Sequence, residues 1–143
     1  MPSNSFERQT ALKSVILPVL EENGYAPREQ VEVSRTVGDN TYTADVLIED
    51  ADGHRMLVAL KWQQAPDAAE EDVPFDAICL GQVVRSSGGK YEKGYLVLGG
   101  DGWTSSLRNY YLSDRFAQQL ADSDIVAVVS LDDFTRLANK RQL

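Results

Sequence analysis

The residues that carry chemistry lie in one stretch, Thr41 to Gln64, TYTADVLIEDADGHRMLVALKWQQ. Asp45 stands alone in one apolar-rich run and Lys61 closes the next. Asp is disfavoured inside strands, so its place before Val46, Leu47 and Ile48 calls for a use. The intervening Asp50-Ala51-Asp52-Gly53 is a turn of the kind that joins antiparallel strands. Side chains alternate along a strand, so Ala59, Lys61 and Gln63 share one face of the second run. A bent hairpin brings Asp45 against that face. A carboxylate beside a lysine is the minimal apparatus for holding Mg²⁺ and steering a water, which points to phosphodiester hydrolysis.

The elements around this hairpin follow from periodicity and punctuation. FERQTALKSVILPVLEENG carries Phe6, Ala11, Leu12, Val15, Ile16, Val19 and Leu20 near helical spacing, and Gly24 stops it. Pro18 is expected to kink or shorten that helix. VEVSRTVG alternates as a strand and Gly38-Asp39-Asn40 turns the chain into the hairpin. Residues Ala65 to Asp72 form a polar loop, followed by a helix from Val73 to Ser87 with Pro74 in its first turn. KGYLVLGG and IVAVVSL are short apolar runs that read as buried strands. An aromatic helix from Ser105 to Leu120 separates them, and Asp132-Asp133-Phe134 opens a short closing helix. The predicted order is αβββαβαβα, an α/β fold with a mixed central sheet flanked by helices.

The 143 residues fit one domain, burying about 70% of the unfolded surface. No apolar run approaches the ~20 residues of a membrane span, and MPSNSFERQT lacks the apolar core of a signal peptide. Cys79 is the one cysteine, so no intramolecular disulfide forms and a cytoplasmic location is expected. The net charge of −8 opposes nucleic-acid binding unless a metal ion or a local basic face offsets it. Lys90, Lys93, Arg108, Lys140 and Arg141 are the candidate DNA contacts.

The order of elements, with Asp45 on the second strand and Lys61 two residues beyond Ala59 on the third, resembles the PD-(D/E)XK nuclease superfamily. The likeness runs from the first helix to the last strand and implies a restriction endonuclease-like core. It implies that Asp45, in Ala44-Asp45, is the metal-binding aspartate and that Lys61 positions or polarises the attacking water. Gln63 matches a polar residue common two positions later. The backbone carbonyl of Leu60 is implied as a further ligand of Mg²⁺ or Mn²⁺. The chain departs from the family at Ala59, where Asp or Glu supplies the second metal ligand. The resemblance suggests a relocated acid, with Glu70 favoured over Glu71 and Asp76, and Glu7 or Glu21 of the first helix as further candidates.

Metal-dependent DNA endonuclease activity of restriction, homing or junction-resolving type is the function so implied. Lysine is ordinarily protonated, which favours an electrostatic role for Lys61 over that of a base. A short chain cutting duplex DNA implies a homodimer, with the aromatic third helix, Leu107 to Leu120, as a plausible dimer face. Ala59 also fits a fold that has lost catalysis and binds DNA or protein, or an alanine replacing a native acid. His54 is read as an exposed turn residue. Gly99-Gly100-Asp101-Gly102 lacks the Lys-Ser/Thr of a phosphate loop and is read as a turn. Trp103, Tyr110 and Tyr111 are read as core or interface residues before base-stacking ones.

Overall fold

The hairpin forms as its alternation predicts. β2 (Thr41–Glu49) and β3 (Arg55–Trp62) pair antiparallel, with Val46 opposite Val58 and Glu49 opposite Arg55. The structure is a computed structural model that describes residues 3–34 and 41–143. β1 (Ala26–Ser34) pairs antiparallel with β2, while β4 (Lys93–Gly99) and β5 (Val126–Ser130) add parallel to β3. The sheet order is β1-β2-β3-β4-β5. The expected strand VEVSRTVG thus begins earlier, at Ala26; its last residues, and the Gly38-Asp39-Asn40 turn, lie outside the described residues.

Helices cover both faces. On one side α1 (Ser3–Ala11), a π-helical stretch (Leu12–Ile16) and α2 (Leu17–Glu22) run on from one another. Leu17 N–H reaches Leu12 O, five residues back, in the turn before Pro18. Proline has no N–H and its ring crowds the carbonyl four residues earlier, so the widened turn absorbs Pro18 without ending the helix. Leu12, Ile16 and Leu20 are fully buried and meet Val46, Ile48, Val58, Val97 and Phe134. Phe134 belongs to α6 (Leu131–Asn139), whose start Ser130 caps by accepting from Asp133 N–H.

On the other face α3 (Val73–Arg85) packs Val73, Ala77, Leu80 and Val84 against Leu57 and Leu96. A 3₁₀ turn, Ala68–Asp72, precedes it within the expected polar loop and is capped by Asp67. The expected helix from Ser105 to Leu120 is divided into α4 (Ser105–Tyr111) and α5 (Asp114–Ala117). Ser113 accepts from Phe116 N–H and caps a second helix, and the Phe116 ring meets Tyr110 and Tyr111 edge to face. Tyr111 and Phe116 are core residues, and Tyr110 is partly exposed.

Candidate active site

β2 is irregular where its aspartate stands. Ala44 packs with the α3-side core and Val46, two residues on, with the α1-side core, so strict alternation breaks at Asp45. Opposite it on β1, Gln30 has φ +52°, a left-handed conformation uncommon for a residue with a side chain. The register on either side is unbroken, from Glu29 opposite Val46 to Val31 opposite Ala44. The distortion is local and turns one side chain out of the alternation.

The β2–β3 ladder ends at Val46 and Val58, and beyond it the Leu60 backbone is served by side chains. Asp45 Oδ2 accepts from Leu60 N–H at 2.7 Å. Arg8 Nε donates to the Leu60 carbonyl at 3.0 Å, and Arg8 Nη2 donates to Asp45 Oδ1. The first helix therefore contributes a cation where a carboxylate, Glu7 or Glu21, was expected. Arg8 stands one turn before Leu12 and so continues the buried stripe Leu12, Ile16, Leu20 at a spacing of four. That spacing is the sequence signal for Arg8, which stands one residue from the expected acid Glu7.

Lys61, next along β3, donates to Asp76 Oδ2 at 2.7 Å across to the first turn of α3. Of the candidate acids, Asp76 is thus the one joined to the lysine. Glu70 is put to another use. Nearly fully buried, it accepts from Thr104 N–H at 2.5 Å and Thr104 Oγ1 at 3.0 Å, holding the start of α4. Glu71 is exposed beside it, and Glu21 is exposed on α2. Burial, and then the charges of Glu71 and Glu70, raise the Tyr111 phenol at this corner above its usual range.

Gln63 is buried and its backbone is gripped from both sides. Its N–H donates to Gly99 O at 3.1 Å and its carbonyl accepts from Gly102 N–H at 2.8 Å. This contact explains the glycine-rich loop. A Cβ on Gly100, at φ +93°, would meet Gln63 O at 2.2 Å, and one on Gly102 would meet Ala65 N at 2.1 Å. The loop closes on the end of β3, and Trp103 Nε1 fastens it to Gly99 O at 2.8 Å. The Gln63 carboxamide itself turns toward Asp67 at 3.4 Å.

The five candidate DNA contacts are divided between the two ends of the sheet. Arg108 lines a depression with Trp62, Gly100, Asp101 and Asp132 at the Lys61 end. Lys93 lies opposite Met56, five residues of strand (about 16 Å) from the Leu98–Lys61 pair. Lys93 and the neighbouring Lys90 sit over Tyr95 and Tyr91. Arg141 lines a depression with Tyr25, Asp50 and Asp52 at the β2–β3 turn, and Lys140 is exposed beside it. Of the five, Arg108 alone stands at the Asp45–Lys61 end.

At the turn, Asp50, Asp52 and His54 bring ligand-type atoms within 4.8 Å of one another. Asp50 Oδ1 already accepts from Asp52 N–H and His54 N–H, both at 2.9 Å, as in an ordinary Asx turn. His54 pairs through Nδ1 with Glu92. The hydrogen bond to Glu92, then the charges of Glu92 and Asp50, raise its pKa above 6.5.

Among solved structures the chain is similar to a crystal structure of a protein of unknown function, AF1548, with a TM-score of 0.54 and 15% identity. That match covers 80% of this chain and 54% of the other. It is also similar to a repair endonuclease from Pyrococcus abyssi, with a TM-score of 0.46 and 15% identity, covering 91% of this chain and 46% of that one. A third match is the EndoMS–dsDNA2 complex, with a TM-score of 0.42 and 20% identity, covering 86% and 43%. The chain spans about half the length of these structures. No curated protein sequence matches it. No helix among the described residues is long and apolar enough to cross a membrane. The profile of the PD-(D/E)XK nuclease superfamily domain matches residues 4–142, and the chain therefore belongs to that superfamily.

Proposed function

We propose that this domain is a metal-dependent endonuclease that hydrolyses phosphodiester bonds of DNA at the point where β2 and β3 part. The observation that carries the proposal is that Asp45 Oδ1 and the Leu60 carbonyl converge on one cationic group. An anionic carboxylate oxygen and a carbonyl oxygen are hard donors that suit Mg²⁺ or Mn²⁺, so the pair fits such an ion. In this proposal Asp45 and Leu60 hold the ion, and Asp76 replaces Glu70 as the favoured second acid. When bound, the ion acidifies a water and offsets charge on the phosphate. Lys61 donates to the developing charge, and Asp76 aims its ammonium. The glycine-rich loop fixes the end of β3 on which Lys61 stands. Arg108 is the proposed DNA contact at that end, and two copies of the chain would serve the two strands of a duplex.

A second reading, a nuclease-fold module that binds DNA or protein without cutting, is favoured by Ala59 and by the ion pair closed over Asp45. Cleavage of plasmid and branched DNA with Mg²⁺ or Mn²⁺ separates the two. Activity in the parent, lost in Asp45→Ala and Lys61→Ala, supports the nuclease. Activity only in Ala59→Glu identifies a site lacking one carboxylate. DNA binding without cleavage by any variant supports the module.

A further inference from the structure

We infer that Arg8 is the resident cation of this site, and that a divalent ion binds there only by displacing the Arg8 guanidinium. The inference rests on the proposed metal-binding role of Asp45 and Leu60 and concerns how that role is regulated.

The geometry is specific. Arg8 reaches the Leu60 carbonyl through Nε and Asp45 Oδ1 through Nη2, so one planar group spans both proposed ligands. Asp45 Oδ2 is held by Leu60 N–H, which leaves Oδ1 to face the cation. The Asp45 side chain is 11% exposed and that of Arg8 27%. The acid is therefore enclosed while the cation that covers it borders solvent.

Charge accounts for the pairing. Ala59 contributes no carboxylate and Asp76 is paired with Lys61, so among the described residues Asp45, from β2, is the one acid at the Leu60 backbone, and one guanidinium neutralises it. A divalent ion added beside Arg8 would leave a large positive excess in a poorly solvated notch, where like charges repel far more strongly than in water. Ion and guanidinium therefore exclude each other. Arg8 is also well suited to leave. Its helix is fixed one turn later by the buried Leu12, Ile16 and Leu20, so departure needs rotation of one long side chain and no movement of the core. A released guanidinium is a two-pronged donor matched to a phosphate, which the proposed substrate supplies.

The test is calorimetric titration of the full chain with Mn²⁺ alone. The variants are Arg8→Gln, which keeps a donor without the charge, Arg8→Ala, and each of these combined with Asp45→Asn. Unfolding midpoints measured alongside establish that each variant is folded. Competition predicts that Arg8→Gln and Arg8→Ala bind Mn²⁺ roughly tenfold or more tightly than the parent, because a charge-assisted hydrogen bond no longer has to be broken. Adding Asp45→Asn is expected to abolish that gain. The turn cluster of Asp50, Asp52 and His54 is untouched by these substitutions, so ion uptake there subtracts out. Equal or weaker Mn²⁺ binding in the Arg8 variants, with binding still dependent on Asp45, overturns the role of Arg8 and leaves the metal site standing. Binding that ignores Asp45 in every variant overturns both.

Discussion

Arg8 and Asp45 enclose a single residue between them: the carboxylate takes the Leu60 N–H, the guanidinium takes the Leu60 carbonyl, and the two side chains pair with each other. The edge of β3 freed by the end of the ladder is thus completed by an acid from β2 and a base from α1. Backbone groups that water cannot serve must find such partners.

Asp45→Ala is expected to lower stability by roughly 1–3 kcal/mol, because it strips both the Leu60 N–H and Arg8 of an acceptor. Asp45→Asn keeps an acceptor oxygen and should lose less. Urea unfolding of both variants measures the difference. A double-mutant cycle with Arg8→Ala should show a coupling of about 1 kcal/mol or more, since the two side chains share one network.

Lys61→Met is expected to reduce DNA cleavage by a factor of about 10² to 10³, the usual loss when one preorganised donor at a reacting centre is removed. Its stability should change by less than about 1 kcal/mol, because the Lys61–Asp76 pair is partly solvent-exposed. Loss of cleavage matched by an equal loss of folded protein would contradict this division of roles.

Gly100→Ala should destabilise the fold by about 1–3 kcal/mol or more. The new methyl would have to sit 2.2 Å from the Gln63 carbonyl at a φ of +93°. Gly53→Ala provides the comparison, for its φ is similarly positive at +86° but the space around it is open. A smaller loss at Gly53 in thermal unfolding isolates the contact from the backbone strain.

His54 is the single histidine, so its imidazole titration is read directly by NMR. Its pKa should lie above 6.5 and fall toward that value in Glu92→Gln, since the Glu92 hydrogen bond is the largest cause of the shift. A folded-state pKa above the unfolded one means the protonated form is favoured by folding. The small stabilisation is therefore full below pH 6.5 and is lost as pH rises through the folded value.

Much of the fold was legible because it depends on local pattern. Alternation marked β2 and β3, apolar runs bounded by glycine marked β4 and β5, and Pro74 marked the first turn of α3. Where helices depart from a single regular run, the reasons are identifiable. At Pro18, where a kink or shortening is expected, a π turn accommodates the ring and the helix continues, and Ser113 divides the aromatic helix by capping a new one.

Sequence by itself determined the fold class, a mixed sheet flanked by helices, and the positions of Asp45 and Lys61 on adjacent strands. Those features follow from side-chain period and turn chemistry within about ten residues. Tertiary structure alone decided the partners. Arg8 meets Asp45 across 37 positions of chain, Lys61 meets Asp76 on the following helix, and Glu70 goes to Thr104 rather than to the aspartate. A charged side chain takes the partner that packing brings within hydrogen-bonding distance. That outcome depends on where a buried stripe such as Leu12, Ile16 and Leu20 seats its helix, which no local pattern encodes.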